Sequence, residues 1–204
     1  MEDFNCLEKC ETTEFTGKLD PSKEPPAFVE ETEDGRLQVN GEDTDEKAVS
    51  SAEKIIALKP DTVRIYPTVV LKGTMLADLY EQKIYKPQTV DDAANLCTRL
   101  IPMFENAGIK IIRIGLHSSP ELKKNMIAGA FHDSFGEIVK SRFLLNQILK
   151  NPPASYEIFV NPKTVSQLKG QQKRNIYFLM EAGYNIKVTV SDKVAVGEIK
   201  TVKK

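Results

Sequence analysis

From Thr44 onward, apolar residues recur at helical and then at strand spacing, and the alternation predicts a parallel α/β core. Ala48, Val49, Ala52, Ile55 and Ile56 share one helical face. Thr44 can cap that helix, and Asp45 and Glu46 fill the first turn, where the helix dipole favours acids. Lys59-Pro60 ends it. Thr62–Tyr66 reads as a short β-branched strand closed by Pro67, and a short helix follows over Thr74–Gln82. The clearest helix starts at Thr89, which makes a capping-box pair with Asp92. Val90, Ala93, Ala94, Cys97, Leu100, Ile101 and Phe104 then line one face. Pro102 is expected to kink this helix, and Gly108 to cap its carboxyl end.

Ile109–Ile114 is a nearly continuous apolar run after a helix, which predicts a parallel strand covered on both faces. Strand, helix and strand in this order make a crossover unit. Two strands cannot close a barrel, so the sheet is either completed by other residues or open. Ser134–Leu149 predicts another helix, with Ile138, Val139, Phe143, Leu144 and Ile148 on one side. Pro152-Pro153 marks a boundary. Beyond it the pattern is strand–helix–helix–strand over Tyr156–Val160, Pro162–Leu168, Lys173–Ala182 and Asn185–Val190, with a last strand around Val196–Val202.

Charge divides the chain further. The net charge of −1 over 204 residues hides an acidic front and a basic tail. Residues 1–46 carry 15 Asp/Glu against 4 Lys/Arg, and residues 160–204 carry 9 Lys/Arg against 3 Asp/Glu. Different partners at the two ends would follow, although each can also be a solvated surface. Residues 1–43 are expected to be a poorly ordered acidic segment, with a possible hairpin at Asp34-Gly35 between Ala27-Phe28-Val29 and Leu37-Gln38-Val39. Residues 44–151 then form the α/β body and residues 152–204 a small carboxy-terminal module.

No apolar run approaches the ~18 residues that span a bilayer, and MEDFNCLEKC lacks the basic and apolar regions of a secretion signal. A cytoplasmic protein without membrane contact is expected. Three cysteines leave one unpaired in any disulfide scheme, which suits a reducing compartment. Gly-x-Ser-x-Gly, His-Glu-x-x-His and Gly-x4-Gly-Lys-Ser are all absent, and His117 and His132 have no ligand partner at metal spacing. No metal site is therefore expected from the residues alone.

One block carries a family likeness. Lys59-Pro60-Asp61-Thr62-Val63-Arg64-Ile65-Tyr66-Pro67-Thr68-Val69-Val70-Leu71-Lys72-Gly73-Thr74, with Tyr85-Lys86-Pro87 downstream, resembles radical S-adenosylmethionine proteins of the elongator catalytic subunit type. Asn40-Gly41-Glu42-Asp43-Thr44 looks like an altered form of that family's Gly-Leu-Pro-Gly-Asp-Thr turn, and Ile111–His117 resembles its sixth barrel strand. The likeness covers roughly residues 40–145. It implies a partial (β/α)6 barrel, of which this chain holds the back portion. It also implies a [4Fe–4S] cluster on a Cys-x3-Cys-x2-Cys loop, which reduces S-adenosylmethionine, and a tRNA wobble uridine as the modified group.

The chain departs from the family at that loop. Cys6-Leu7-Glu8-Lys9-Cys10 has the first spacing, but the third position is Thr13. Surrounding acids raise rather than lower thiol pKa values. Cys97 lies on an apolar helix face and reads as core. The first four barrel strands have no counterpart, so the chain is read as truncated, and cluster and S-adenosylmethionine are expected in the family rather than on this chain alone. Its own catalytic status stays open. The family's last strands lie near the cofactor and substrate, and ligands of parallel α/β sheets sit at strand carboxyl ends. Tyr66, Arg113 and Gly115 are the cofactor-side candidates, and Lys72 and His117 the substrate-side ones. Each also has an ordinary reading as a salt-bridged, turn or surface residue.

Residues 156–190 show a second resemblance. Val165–Ile176 looks like the helix–loop–helix core of a KH module, whose Gly-x-x-Gly loop clamps a nucleic-acid backbone. Lys173 stands at the second glycine. Lys169, Gly170, Lys173 and Arg174 are the candidate RNA contacts, through charge and loop amides. Tyr177 and Phe178 are adjacent, so helical spacing predicts that one of them is core. Three functions follow: a tRNA-modifying radical enzyme lineage, a non-catalytic RNA-binding module, or an inactive fragment. The partner in the first two is tRNA or another RNA, and oligomeric state is not specified.

Overall fold

The computed structural model describes residues 44–204 in full and, before them, the backbone of Thr13–Thr16, Val29–Glu31 and Leu37–Val39. It divides into two compact units, residues 1–135 and 136–204.

The first unit is built on a five-stranded sheet. β1 (Thr13–Thr16), β2 (Val29–Glu31) and β3 (Leu37–Val39) precede α1 (Asp45–Leu58). β4 (Thr62–Ile65) and β6 (Lys110–Ile114) complete the sheet in the order β2-β3-β1-β4-β6. β4 and β6 are parallel, while β1 pairs antiparallel with both β3 and β4. Completion of the sheet thus comes from three stretches of the acidic front, expected to be loosely packed. The hairpin strands β2 and β3 pair with Val29 opposite Val39, and the Asp34-Gly35 turn lies outside the described residues.

The helices follow their local signals. The Thr44 side chain accepts from the Lys47 N–H at 3.3 Å, capping α1. Lys59 ends it in the left-handed conformation (φ 52°). α2 (Met75–Glu81) is capped by Thr74. α3 (Val90–Asn106) has the capping box: Thr89 Oγ1 accepts from the Asp92 N–H, and the Asp92 carboxylate accepts from the Thr89 N–H. The Thr89 hydroxyl, which donates to Asp92 Oδ2 at 2.6 Å, and then the Thr89 N–H hold the Asp92 carboxyl below its ordinary range. Pro102 sits inside a continuous α3. Ala107 is the last cap residue, and Gly108 follows at φ +75°. Its N–H donates to Glu105 O while that of Ile109 donates to Phe104 O, the paired closure that a left-handed glycine permits. Ile55, Val63, Ala94, Leu100 and Phe104 are buried in the core.

Two features depart from expectation. β6 is not covered on both faces, since Ile112 is 43% exposed. Among the described residues β6 pairs only with β4, and the face that carries Ile112 is left partly open. A second sheet also forms within this unit: β5 (Val69–Leu71) pairs antiparallel with β7 (Met126–Gly129), after the short α4 (Pro120–Asn125). Three-residue and four-residue strands give too few alternations for a periodicity signal.

The second unit takes in α5 (Phe135–Leu149) from Gly136 onward, ahead of Pro152-Pro153. β8 (Ser155–Val160), α6 (Val165–Lys169), α7 (Arg174–Glu181), β9 (Asn185–Val190) and β10 (Ile199–Lys203) follow, with short 3₁₀ turns at Pro162–Thr164 and Gln171–Lys173. The sheet order is β10-β8-β9, with β8 parallel to β9 and antiparallel to β10. Leu144 and Ile148 of α5 join Ile158, Val160, Leu168 and Leu179 in one core. Two tyrosines close its end. Tyr156 OH donates to Pro152 O at 2.8 Å and Tyr184 OH to Asn151 O at 2.7 Å, so both buried hydroxyls have acceptors.

No helix among the described residues is long and apolar enough to cross a membrane.

Candidate functional site

β4 and β6 end side by side, with Ile65 opposite Ile114. The Gly115 N–H donates to Ile65 O at 2.8 Å and extends the ladder by one residue. The chain then turns at Gly115 with φ +93°. A Cβ at this position would lie 2.9 Å from the Phe135 Cβ, a distance that real side chains do not tolerate. The close approach that Gly115 permits is therefore made by Phe135, a fully buried core side chain.

Arg113, Gly115 and His117 form one hydrogen-bonded turn. Arg113 Nε donates to Gly115 O at 3.2 Å, and its Nη2 lies 3.1 Å from His117 Nδ1. A guanidinium only donates, so Nδ1 is the acceptor, and the neutral ring carries its proton on Nε2. The turn thus presents one cation and one imidazole N–H donor on an exposed edge. Tyr66 follows the end of β4 and is half-buried. Lys72 is placed elsewhere, after β5. Its N–H donates to Asn125 O at 2.9 Å and its Nζ to Lys124 O at 3.4 Å, so it ties β5 to the end of α4.

The sequence reading missed one neighbouring pair. Lys123 Nζ donates to Asp133 Oδ2 at 2.8 Å, and Lys123 also lies 6.0 Å from the Phe131 ring centre. Its ammonium, followed by a hydrogen bond from Ser118, holds the Asp133 carboxyl below the usual range. The two residues flank β7, which has no sequence signature, so nothing in the linear pattern joined them.

The family's cluster needs several thiolates on one site. The described residues do not fit it. Cys97 is buried on the apolar face of α3, where desolvation pushes its thiol up to about 12. Among the described residues no three His, Cys, Asp or Glu side chains gather as a metal site. Cys6 and Cys10 lie outside the described residues. No chemical step through a cluster is derived from this arrangement.

The second unit presents a different surface. Lys169 ends α6, and Gly170 follows at φ 72°, ψ 170°. A Cβ on Gly170 would stand 3.0 Å from Asn175 Cγ and Oδ1. Buried Asn175 fills that space because its Nδ2 donates to Leu168 O at 3.0 Å and to Ser141 Oγ at 2.9 Å, holding the loop against α5. Gln172 (φ 50°) and Lys173 (φ 59°) then occupy the left-handed region in succession. Lys173 thus holds a backbone conformation that glycine adopts at no steric cost. Lys173 and Arg174 are exposed, and Lys169 is partly so. Tyr177 and Phe178 are 57% and 47% exposed, so neither is core. Asn175 and Leu179, four residues apart, take the inward face of α7 instead.

Residues 60–144, less than half of the chain, match the family model described as the radical SAM C-terminal domain. No curated protein matches the chain.

Proposed function

We propose that this chain, whose residues 60–144 carry the radical SAM C-terminal domain, is an RNA-binding member of the tRNA-modifying, elongator catalytic subunit-like branch of that superfamily. In this reading β4, α2, α3 and β6 are the closing part of a partial (β/α)6 barrel. The Arg113–Gly115–His117 turn lies at its carboxyl end, on the side where such sheets bind ligands. Arg113 supplies a fixed positive charge beside the cofactor, with Tyr66 at the adjacent strand end. His117 Nε2–H faces substrate groups, while Lys72, bonded to Lys124 O beyond β5, stands apart from that turn. The second unit is a KH-like module that holds the RNA backbone. Its carrying observation is the loop at Lys169–Arg174. Lys169, Lys173 and Arg174 gather on one short loop whose backbone is left-handed at Gln172 and Lys173, so three cations stand together where a phosphate backbone could meet them.

Fluorescence anisotropy with a labelled tRNA transcript tests the reading. Binding is expected to weaken as salt rises, and Lys169→Ala/Lys173→Ala/Arg174→Ala together are expected to weaken it by about tenfold or more. Unchanged affinity in the triple variant would sink the RNA contact. A second reading is an RNA-binding module without chemistry, in which Cys97 is a core side chain on the apolar face of α3. Anaerobic reconstitution with iron and sulfide separates the two. A visible cluster band lost on replacing Cys6 or Cys10 supports the catalytic lineage, and its absence leaves the binding role.

A further inference from the structure

The loop and α7 enclose something more specific than a cationic patch. An open depression of about 700 Å³ is lined by Gln171, Gln172, Arg174 and Tyr177. Tyr177 keeps 57% of its area in water while standing on a helix whose other side is packed. Phe178, 47% exposed, is its neighbour. Two carboxamides come from consecutive loop residues, and the backbone of Gln172 is held at φ 50°. Such a conformation costs free energy in a residue with a Cβ, and it persists only where the surroundings enforce it. The surroundings are visible. Gly170 is pressed on Asn175, and the Lys173 N–H donates to Gly170 O at 3.1 Å.

Each lining group matches one part of a nucleotide. An exposed aromatic ring stacks on a base face, and such stacking tolerates any base because every base has a π-face. A carboxamide carries both a donor and acceptors, the complement of a base edge. A guanidinium binds phosphate through two parallel hydrogen bonds. The neighbouring Lys169 and Lys173 extend the positive charge along a backbone path. A double helix buries its base faces in its own stack, so only an unpaired nucleotide can use Tyr177 and the glutamines together.

We propose that this depression is a subsite for one unpaired RNA nucleotide, with its base stacked on Tyr177, its edge met by Gln171 and Gln172, and its phosphate held by Arg174. The proposal rests on the reading of the second unit as an RNA-binding module. It adds single-stranded RNA as the class recognised, and base stacking as the means.

The test uses the full chain and two probes of equal length, a fluorescein-labelled single-stranded oligouridylate and a labelled RNA duplex. Tyr177→Ala is expected to weaken the single strand by about 10- to 100-fold, the loss of one stacked base, while duplex binding changes less than about twofold. Tyr177→Phe keeps the ring and is expected to restore single-strand binding. Tyr177 lies outside the core, and circular dichroism of each variant checks that the fold is kept. If the wild type binds neither probe, the RNA-binding reading and the subsite both fall. If the wild type binds and Arg174→Ala weakens both probes, while Tyr177→Ala weakens neither, the phosphate contact stands and the subsite is overturned.

Discussion

The turn at Gly115 and the loop at Gly170–Lys173 are both sites where the chain takes left-handed backbone beside residues expected to bind ligands. They use that conformation differently. At Gly115 the missing Cβ is spent on the interior, because Phe135 packs 2.9 Å from where it would be. At Gln172 and Lys173 side chains are present, the backbone is left-handed regardless, and the groups project to solvent. The first arrangement builds a core. The second holds charge and polarity in a fixed outward geometry at a cost that packing does not repay.

The largest break in this comparison is expected from Gly115→Ala. The added methyl meets Phe135 in a backbone region that alanine disfavours, and the loss should be about 2–4 kcal/mol in urea unfolding. A loss under about 0.5 kcal/mol would mean that the turn relaxes freely. Next comes Asn175→Ala. It removes the amide that satisfies Leu168 O and Ser141, and about 2 kcal/mol should be lost. Loop affinity for RNA should fall with it, since Gly170 then loses its support. Lys173→Gly should raise stability slightly, by about 0.5 kcal/mol, as left-handed strain of about 1–2 kcal/mol is relieved against the added freedom of the unfolded chain. The same change should lower RNA affinity, a split that a purely structural loop would not show.

The last expected effect is read against pH and concerns Glu157, on the sheet of the second unit. Lys204 bonds its carboxylate at 2.5 Å and Thr189 Oγ1 donates to it at 2.7 Å, with Lys187 at 3.3 Å. The lysine and threonine bonds bring its pKa down from 4.5 to about 2. A carboxyl depressed in the folded state contributes stability above its unfolded value and loses it as pH falls through the folded one. The stability gap between wild type and Glu157→Gln should therefore be full above about pH 4.5 and close toward pH 2. Urea titrations across that range check it, and a gap constant with pH would remove Glu157 as the source.

Much of the fold is written locally. Thr44, Thr74, Thr89 and Asp92 state where helices begin, and Gly108 where α3 ends, because caps are short-range hydrogen bonds. The strand–helix–helix–strand order after Pro152-Pro153 is equally legible. β5, β7 and α4 were not, because their pairing is long-range and each is too short to set up a period. The exposure of Ile112 escaped for a related reason: an apolar run does not say which elements will cover each face of its strand. Arg113, Gly115 and His117 fall together because two-residue spacing after a strand survives into space. Lys72 does not join them, since β5 carries it to another sheet. Tyr177 and Phe178 were misjudged by assuming that an aromatic pair on a helix must bury one member. Leu179 and Asn175 already fill that face.

The central claim is that RNA is held by the second unit, through Lys169–Phe178, and not through the family-matched segment alone. Photo-crosslinking of the full chain to a 4-thiouridine-substituted tRNA transcript, followed by peptide mass spectrometry, tests it most directly. Adducts within residues 169–178 that disappear in Lys173→Ala/Arg174→Ala are the expected result. Adducts confined to residues 60–144, with none after residue 152, would contradict it.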